Sequence, residues 1–163
     1  MLFESGKQKK VITLSFAPFF LPVKALFSFA NMIFKKQSFR KKERLVNKKI
    51  IDTLFKNGFS FVINPIRTIW METELIPDTF VQILIVVPKK KLSGAADRNL
   101  IRRRMREAYR KNKNTLYKYI VKSHKQLALA LVFTGDKVMG YKEIEDKIIL
   151  SITRLKEKYE LAL

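Results

Sequence analysis

The sequence contains no cysteine and a single histidine, His124. Without cysteine there are no disulfides, no thiolate nucleophile and few routes to a structural zinc site. His124, set between Ser123 and Lys125, reads as a solvated loop residue, and no His, Cys and carboxylate cluster stands at ligand spacing, so no protein-based catalytic or metal site is expected. Glycine is scarce as well, at 5 residues in 163, and none form a phosphate-cradling loop. Acidic residues are outnumbered: 14 Asp and Glu face 34 Lys and Arg, for a formal charge of +20. A small domain stays soluble with a net charge of roughly 2 to 8, so this excess calls for a polyanionic partner, nucleic acid or anionic membrane.

What is present suffices for one folded domain, since 47% of the residues are hydrophobic and 13 are Phe. The chain divides near residue 40. Residues 11 to 34 are densely apolar and follow Lys7, Lys9 and Lys10, the layout of a secretory signal. Against that reading, Pro18 and Pro22 break a helix, Lys24 interrupts the run, and no clean small-x-small cleavage site follows close behind. Only 13 residues separate Lys10 from Lys24, too few for a membrane span. The readings left open are an extension outside the working protein with Met32 as the true start, a structured or membrane-touching extension, and an export signal. The first is the expectation, with residues 1–38 as extension and 39–163 as the domain.

Within the domain, Glu43 to Asn57 has helical periodicity, with Val46, Ile50 and Leu54 as a core stripe and Gly58 placed to end the helix. Ile51 and Phe55 form a second apolar edge on the side of Arg44 and Lys48, which either packs under the next strand or faces a ligand. Phe59–Ile63 and Ile66–Glu72 read as a hairpin turning at Asn64-Pro65. Thr79 to Val87 reads as a third strand, with a run from Ile83 that lacks alternation, as in a strand covered on both faces. A basic helix from Gly94 to Asn112, a connection over Leu116 to Ser123, a buried strand from Leu127 to Thr134 and a helix from Tyr141 to Tyr159 complete the order α-β-β-β-α-β-α. This is an α+β domain, a small mixed sheet packed by helices.

The segment from Pro88 to Lys113 carries the chemistry. Ser93 reads as the N-cap, and Ile101, Met105, Ala108 and Tyr109 share a core-facing sector about 100° wide. Arg98, Asn99, Arg102, Arg103, Arg106, Arg110 and Lys113 fill the adjacent sector without a carboxylate, while Glu107 lies where Arg103 or Lys111 could pair with it. Like charges held along one rigid helix repel one another, which makes physical sense where a polyanion fills the space in front of them. The predominance of arginine suits phosphate and exposed bases, because guanidinium bonds bidentately and stacks.

Arg98-Asn99, followed by Arg102-Arg103 and Arg106-Glu107 and preceded by Lys89 and Lys90, resembles the signature helix of the bacterial ribonuclease P protein component. Glu43 to Gly58 is similar to that family's first helix, and the order of elements agrees over residues 39 to 160. Leu100 stands where the family usually has a second Arg, Arg104 where it usually has an apolar residue, and the loop at Lys91-Leu92 is one residue longer. The resemblance implies a left-handed βαβ crossover, an exception to the usual hand. It implies that Lys89, Lys90, Arg98, Asn99, Arg102, Arg103, Arg106 and Arg110 bind a catalytic RNA. It further implies that Arg44, Lys48, Ile51, Phe55, Arg67 and Trp70 line a cleft for the single-stranded 5′ leader of precursor tRNA. On that reading the chain is an accessory subunit, one per RNA and cytoplasmic, with no small-molecule ligand and no membrane. The RNA subunit performs the hydrolysis with Mg2+, and no cofactor is bound by protein residues. Two other readings remain: a ribosomal or other structured-RNA-binding protein of similar fold, and an exported or membrane-associated cationic protein.

Overall fold

The computed structural model describes residues 38–160 except 78 and 124. The readings of the extension and of His124 lie outside the described residues. Helix α1, Lys48–Asn57, starts where the Asn47 side chain accepts a hydrogen bond from the Lys49 backbone N–H at 3.0 Å. It ends at Gly58, where a Cβ would stand 2.3 Å from the Leu54 carbonyl oxygen. The helix was expected from Glu43. Instead Lys41–Glu43 forms a 3-10 turn, Arg44 bridges to Ile83, and the Leu45 N–H donates to the Ile83 carbonyl at 3.0 Å. Those backbone bonds hold residues 44 and 45 extended, so Val46 is 79% exposed, outside the expected stripe, while Leu45 is buried.

Strands β1 (Phe59–Ile63) and β2 (Ile66–Glu72) form the hairpin read from the sequence, with a cis Asn64–Pro65 bond in its turn. Strand β3 is Val81–Val86 and β4 is Leu127–Phe133, in a four-stranded sheet of order β1-β2-β4-β3. β4 runs antiparallel to β2 and parallel to β3. The doubly covered strand is therefore β4, buried almost throughout, whereas β3 lies at the edge with Leu84, Ile85 and Val86 half-buried. A lack of alternation did not separate a central strand from an edge strand that carries apolar residues on both faces.

Helix α2, Ala95–Lys122, connects the two parallel strands, and helix α3 is Tyr141–Glu160. The expected break after Asn112 is absent, and 28 residues run as one helix of about 42 Å. No Gly or Pro interrupts them, and Leu116, Tyr117 and Ile120 continue the buried stripe of Ile101, Met105 and Tyr109. Gly94, not Ser93, occupies the N-cap position, without a side-chain cap bond. The main core lies between the sheet and α2 with α3, where Ile144, Ile148, Ile152 and Leu155 are buried as their spacing predicts. α1 packs Leu54 on the opposite sheet face against Ile69, Ala128 and Ala130. Among the described residues no helix is long and apolar enough to cross a membrane.

Candidate nucleic-acid interface

Helix α2 sets its arginines out in a row because its other face is committed to the core, but the arginines are not equivalent. Arg98 turns back to the loop before the helix, where its guanidinium donates to the carbonyls of Leu92, at 3.0 Å, and Ser93. Arg102 Nη1 donates to Asn99 Oδ1 at 2.8 Å, which orients both exposed polar groups. Arg110 grips Glu107 through two bonds of 2.8 and 2.6 Å, and this guanidinium holds the Glu107 carboxyl below the ordinary carboxylate range. The expected pairing of Glu107 with Arg103 or Lys111 is thus replaced by one with Arg110, three residues on, so the row is partly neutralised at that end. Arg103 and Arg106 make no hydrogen bond or ion pair to any described residue. Lys89 and Lys90 are exposed in the turn after β3.

Lys113 departs from the row entirely. It is 2% exposed and bonded to both Glu43 carboxylate oxygens at 2.7 and 2.6 Å, to the Ser38 carbonyl, and under the Tyr117 ring at 5.2 Å. Burial pushes its ammonium below the ordinary lysine range against the pull of Glu43. The angular position of residue 113 on the helix is cationic in sequence, but the segment before α1 folds over it.

On the α1 side, Ile51 is half-buried against the sheet, Phe55 is 46% exposed one turn further on, and Lys48 is exposed on the same helix. Arg67 reaches this face of β2, between Val62 and Val132 in the register, and donates to Ser60 Oγ at 3.2 Å. The structure does not bring all six expected cleft residues together. Trp70 is buried on the opposite face within the main core, its ring 5.0 Å from that of Phe59. Strand alternation explains this, because Arg67 and Trp70 are three residues apart and must point to opposite faces. Arg44 lies 5.7 Å over Phe39, which packs against that same core.

The family model described as Ribonuclease P matches residues 39–137. The chain belongs to the ribonuclease P protein family. The Ribonuclease P protein component of Porphyromonas gingivalis is 29% identical over 115 residues, covering 71% of this chain and 84% of that protein. That of Petrotoga mobilis is 29% identical over 123 residues, covering 73% of this chain and 96% of its own. The structure of the RNase P protein from Thermotoga maritima shares the fold with a TM-score of 0.55 at 20% identity, over 69% of this chain and 96% of that one. The Staphylococcus aureus RNase P protein does so with a TM-score of 0.51 at 20% identity and the same coverages.

Within this chain, Leu100 and Arg104 carry the departures from the signature helix. Leu100 is half-buried, and Arg104 is spent on the Met139 carbonyl, tying α2 to the loop before α3. The cation gained at residue 104 is thus anchored, not free like its neighbours at 103 and 106. Phe39 and Tyr141 escaped the sequence reading. They line a concavity of about 400 Å³ with Arg103, Arg104, Arg106, Glu107 and Arg110. Nothing in their spacing along the chain links positions 39 and 141.

Proposed function

We propose that this chain is the protein subunit of ribonuclease P, binding the catalytic RNA through α2 and the 5′ leader of precursor tRNA along the edge of α1, and so promoting 5′ maturation of tRNA. The observation that carries the reading is the unpaired Arg103 and Arg106 on the outer face of α2, in a chain of this family. Unneutralised guanidinium groups on a rigid helix are ready for phosphate at little reorganisation cost. On the other sheet face, Phe55 offers a ring to an unstacked base while Lys48 and Arg67 meet phosphates, a sequence-tolerant arrangement. Hydrolysis belongs to the RNA and its Mg2+. The protein supplies leader binding and screens the repulsion between two RNAs, in one copy per RNA, in the cytoplasm. Among the described residues no group of three or more His, Cys, Asp or Glu side chains could hold a metal ion.

The deciding experiment combines the full chain with a bacterial ribonuclease P RNA and precursor tRNA at low magnesium. Cleavage at the 5′ end of the mature tRNA, absent without the chain, is the expected result. RNA binding without any stimulation of cleavage would favour a structured-RNA-binding protein of another assembly.

A further inference from the structure

The concavity between Phe39, helix α2 and the start of α3 is built, residue by residue, as more than a gap. Phe39 is held as a fixed wall, edge-on to Tyr109 at 6.2 Å and capped by the Arg44 guanidinium at 5.7 Å. Tyr141 forms the facing wall, with its hydroxyl on Glu145 Oε1 at 3.0 Å and Lys111 Nζ 5.0 Å from its ring centroid. Arg104 is anchored to the Met139 carbonyl and Arg110 to Glu107, so neither is free to move towards a ligand. Arg103 and Arg106, a helical turn apart and on one side of α2, are left without a partner among the described residues. The lining carries four guanidinium groups against one carboxylate, and that carboxylate is already engaged.

Resting on the RNA-binding reading above, we propose that this pocket receives a single unstacked nucleotide of the RNA partner, with phosphate on Arg103 and Arg106 and the base against Phe39 and Tyr141. The shape selects the ligand. A double helix presents a broad, shallow minor groove and a phosphate ridge, which would meet a row of cations but would not fill a recess of about 400 Å³. A recess of that size suits a small, partly apolar group with a few convergent polar contacts, and a splayed-out nucleotide has both a flat base and an anionic end. The pocket also gives separate work to arginines that the linear motif presents as alike: Arg98, Arg104 and Arg110 shape the surface, and Arg103 and Arg106 bind.

The test measures affinity of the full chain for a bacterial ribonuclease P RNA across a salt series. Arg103→Ala and Arg106→Ala should each reduce the log-affinity against log-salt slope by about 1. Tyr141→Leu should weaken binding roughly 5- to 150-fold with the slope unchanged, as loss of one base-aromatic contact does, and Tyr141→Phe, which keeps the ring, should recover most of that loss. Abasic substitution at each unpaired RNA position, read with the unaltered chain, provides a measure that no unfolded variant can confuse. One position should lose as much affinity as Tyr141→Leu causes, and the two losses should not add. If the arginine variants lose slope while Tyr141→Leu binds normally and no abasic position couples to it, the face is a phosphate ridge and the pocket is overturned, with RNA binding intact. If the unaltered chain binds no RNA, both readings fall together.

Discussion

Lys113 Nζ lies 2.6 Å from Glu43 Oε2, joining the middle of helix α2 to a residue 70 positions earlier in the chain. The Lys113 ammonium also lies 5.2 Å from the Tyr117 ring centroid and donates to the Ser38 carbonyl, so the segment that carries Phe39 is pinned against α2. A side chain that looks in sequence like part of the ligand-binding row is what holds one wall of the pocket in place.

Breaking that pair from the acidic side should be costly. Glu43→Ala leaves the ammonium of Lys113 buried without its counter-charge, and a loss of about 3 to 5 kcal/mol is expected in urea unfolding. Lys113→Met should cost less, since the Glu43 side chain is 13% exposed and can regain water. Equal losses for the two variants would show that packing, not the buried charge, dominates.

Alkaline pH should destabilise the fold through the buried tyrosines. Burial raises both Tyr109 and Tyr117 above their ordinary value of 10.0. As pH rises through that value the unfolded chain releases these protons while the folded chain keeps them, so the stability they contribute is full below about pH 10 and is lost above it. Lys113, pushed down by burial, acts with the opposite sign in the window just below 10.5, as the folded chain gives up a proton that the unfolded chain still holds. Two tyrosines against one lysine leave a net fall above pH 10. Tyr117→Phe should flatten that fall in thermal melts recorded between pH 9 and 11.

Phe55→Ala should weaken binding of precursor tRNA more than of mature tRNA, by about 1 to 3 kcal/mol, because only the precursor has a leader to stack on the ring. The neighbouring Leu54→Ala is the contrast: fully buried, it should lower stability by about 2 to 5 kcal/mol and affect both ligands alike. Equal losses for Phe55→Ala on the two RNAs would place Phe55 with Leu54 as a packing residue.

The arginines of α2 should separate into two kinds. Arg106→Ala should leave thermal stability near the parent's and lower the salt slope of RNA affinity by about 1. Arg98→Ala should instead lower stability by about 1 to 3 kcal/mol, since it removes the bonds to the Leu92 and Ser93 carbonyls. Leu100→Ala should leave the salt slope unchanged.

A chain starting at Met32 should support growth in place of the full chain, because the family match begins at residue 39. A stable product that failed to complement would make the extension functional.

The sequence by itself determined the elements whose signals are local: the hairpin about Asn64-Pro65, the inward stripe of α3, the core face of α2 from Ile101 to Tyr109, and the family-like run of basic residues. Periodicity, turn chemistry and charge need no knowledge of what lies across the core. Only the tertiary structure decided where the first helix starts, because the bonds between Arg44, Leu45 and β3 span some forty residues and outweigh helical propensity there. It also decided that Lys113 is a strut, that Trp70 and Arg44 face away from the α1 edge, and that Phe39 and Tyr141 stand on either side of the arginines. A helical wheel gives each side chain a direction but not a partner, and whether a cation binds a ligand or is consumed by a carboxylate or carbonyl depends on segments that folding brings from far along the chain.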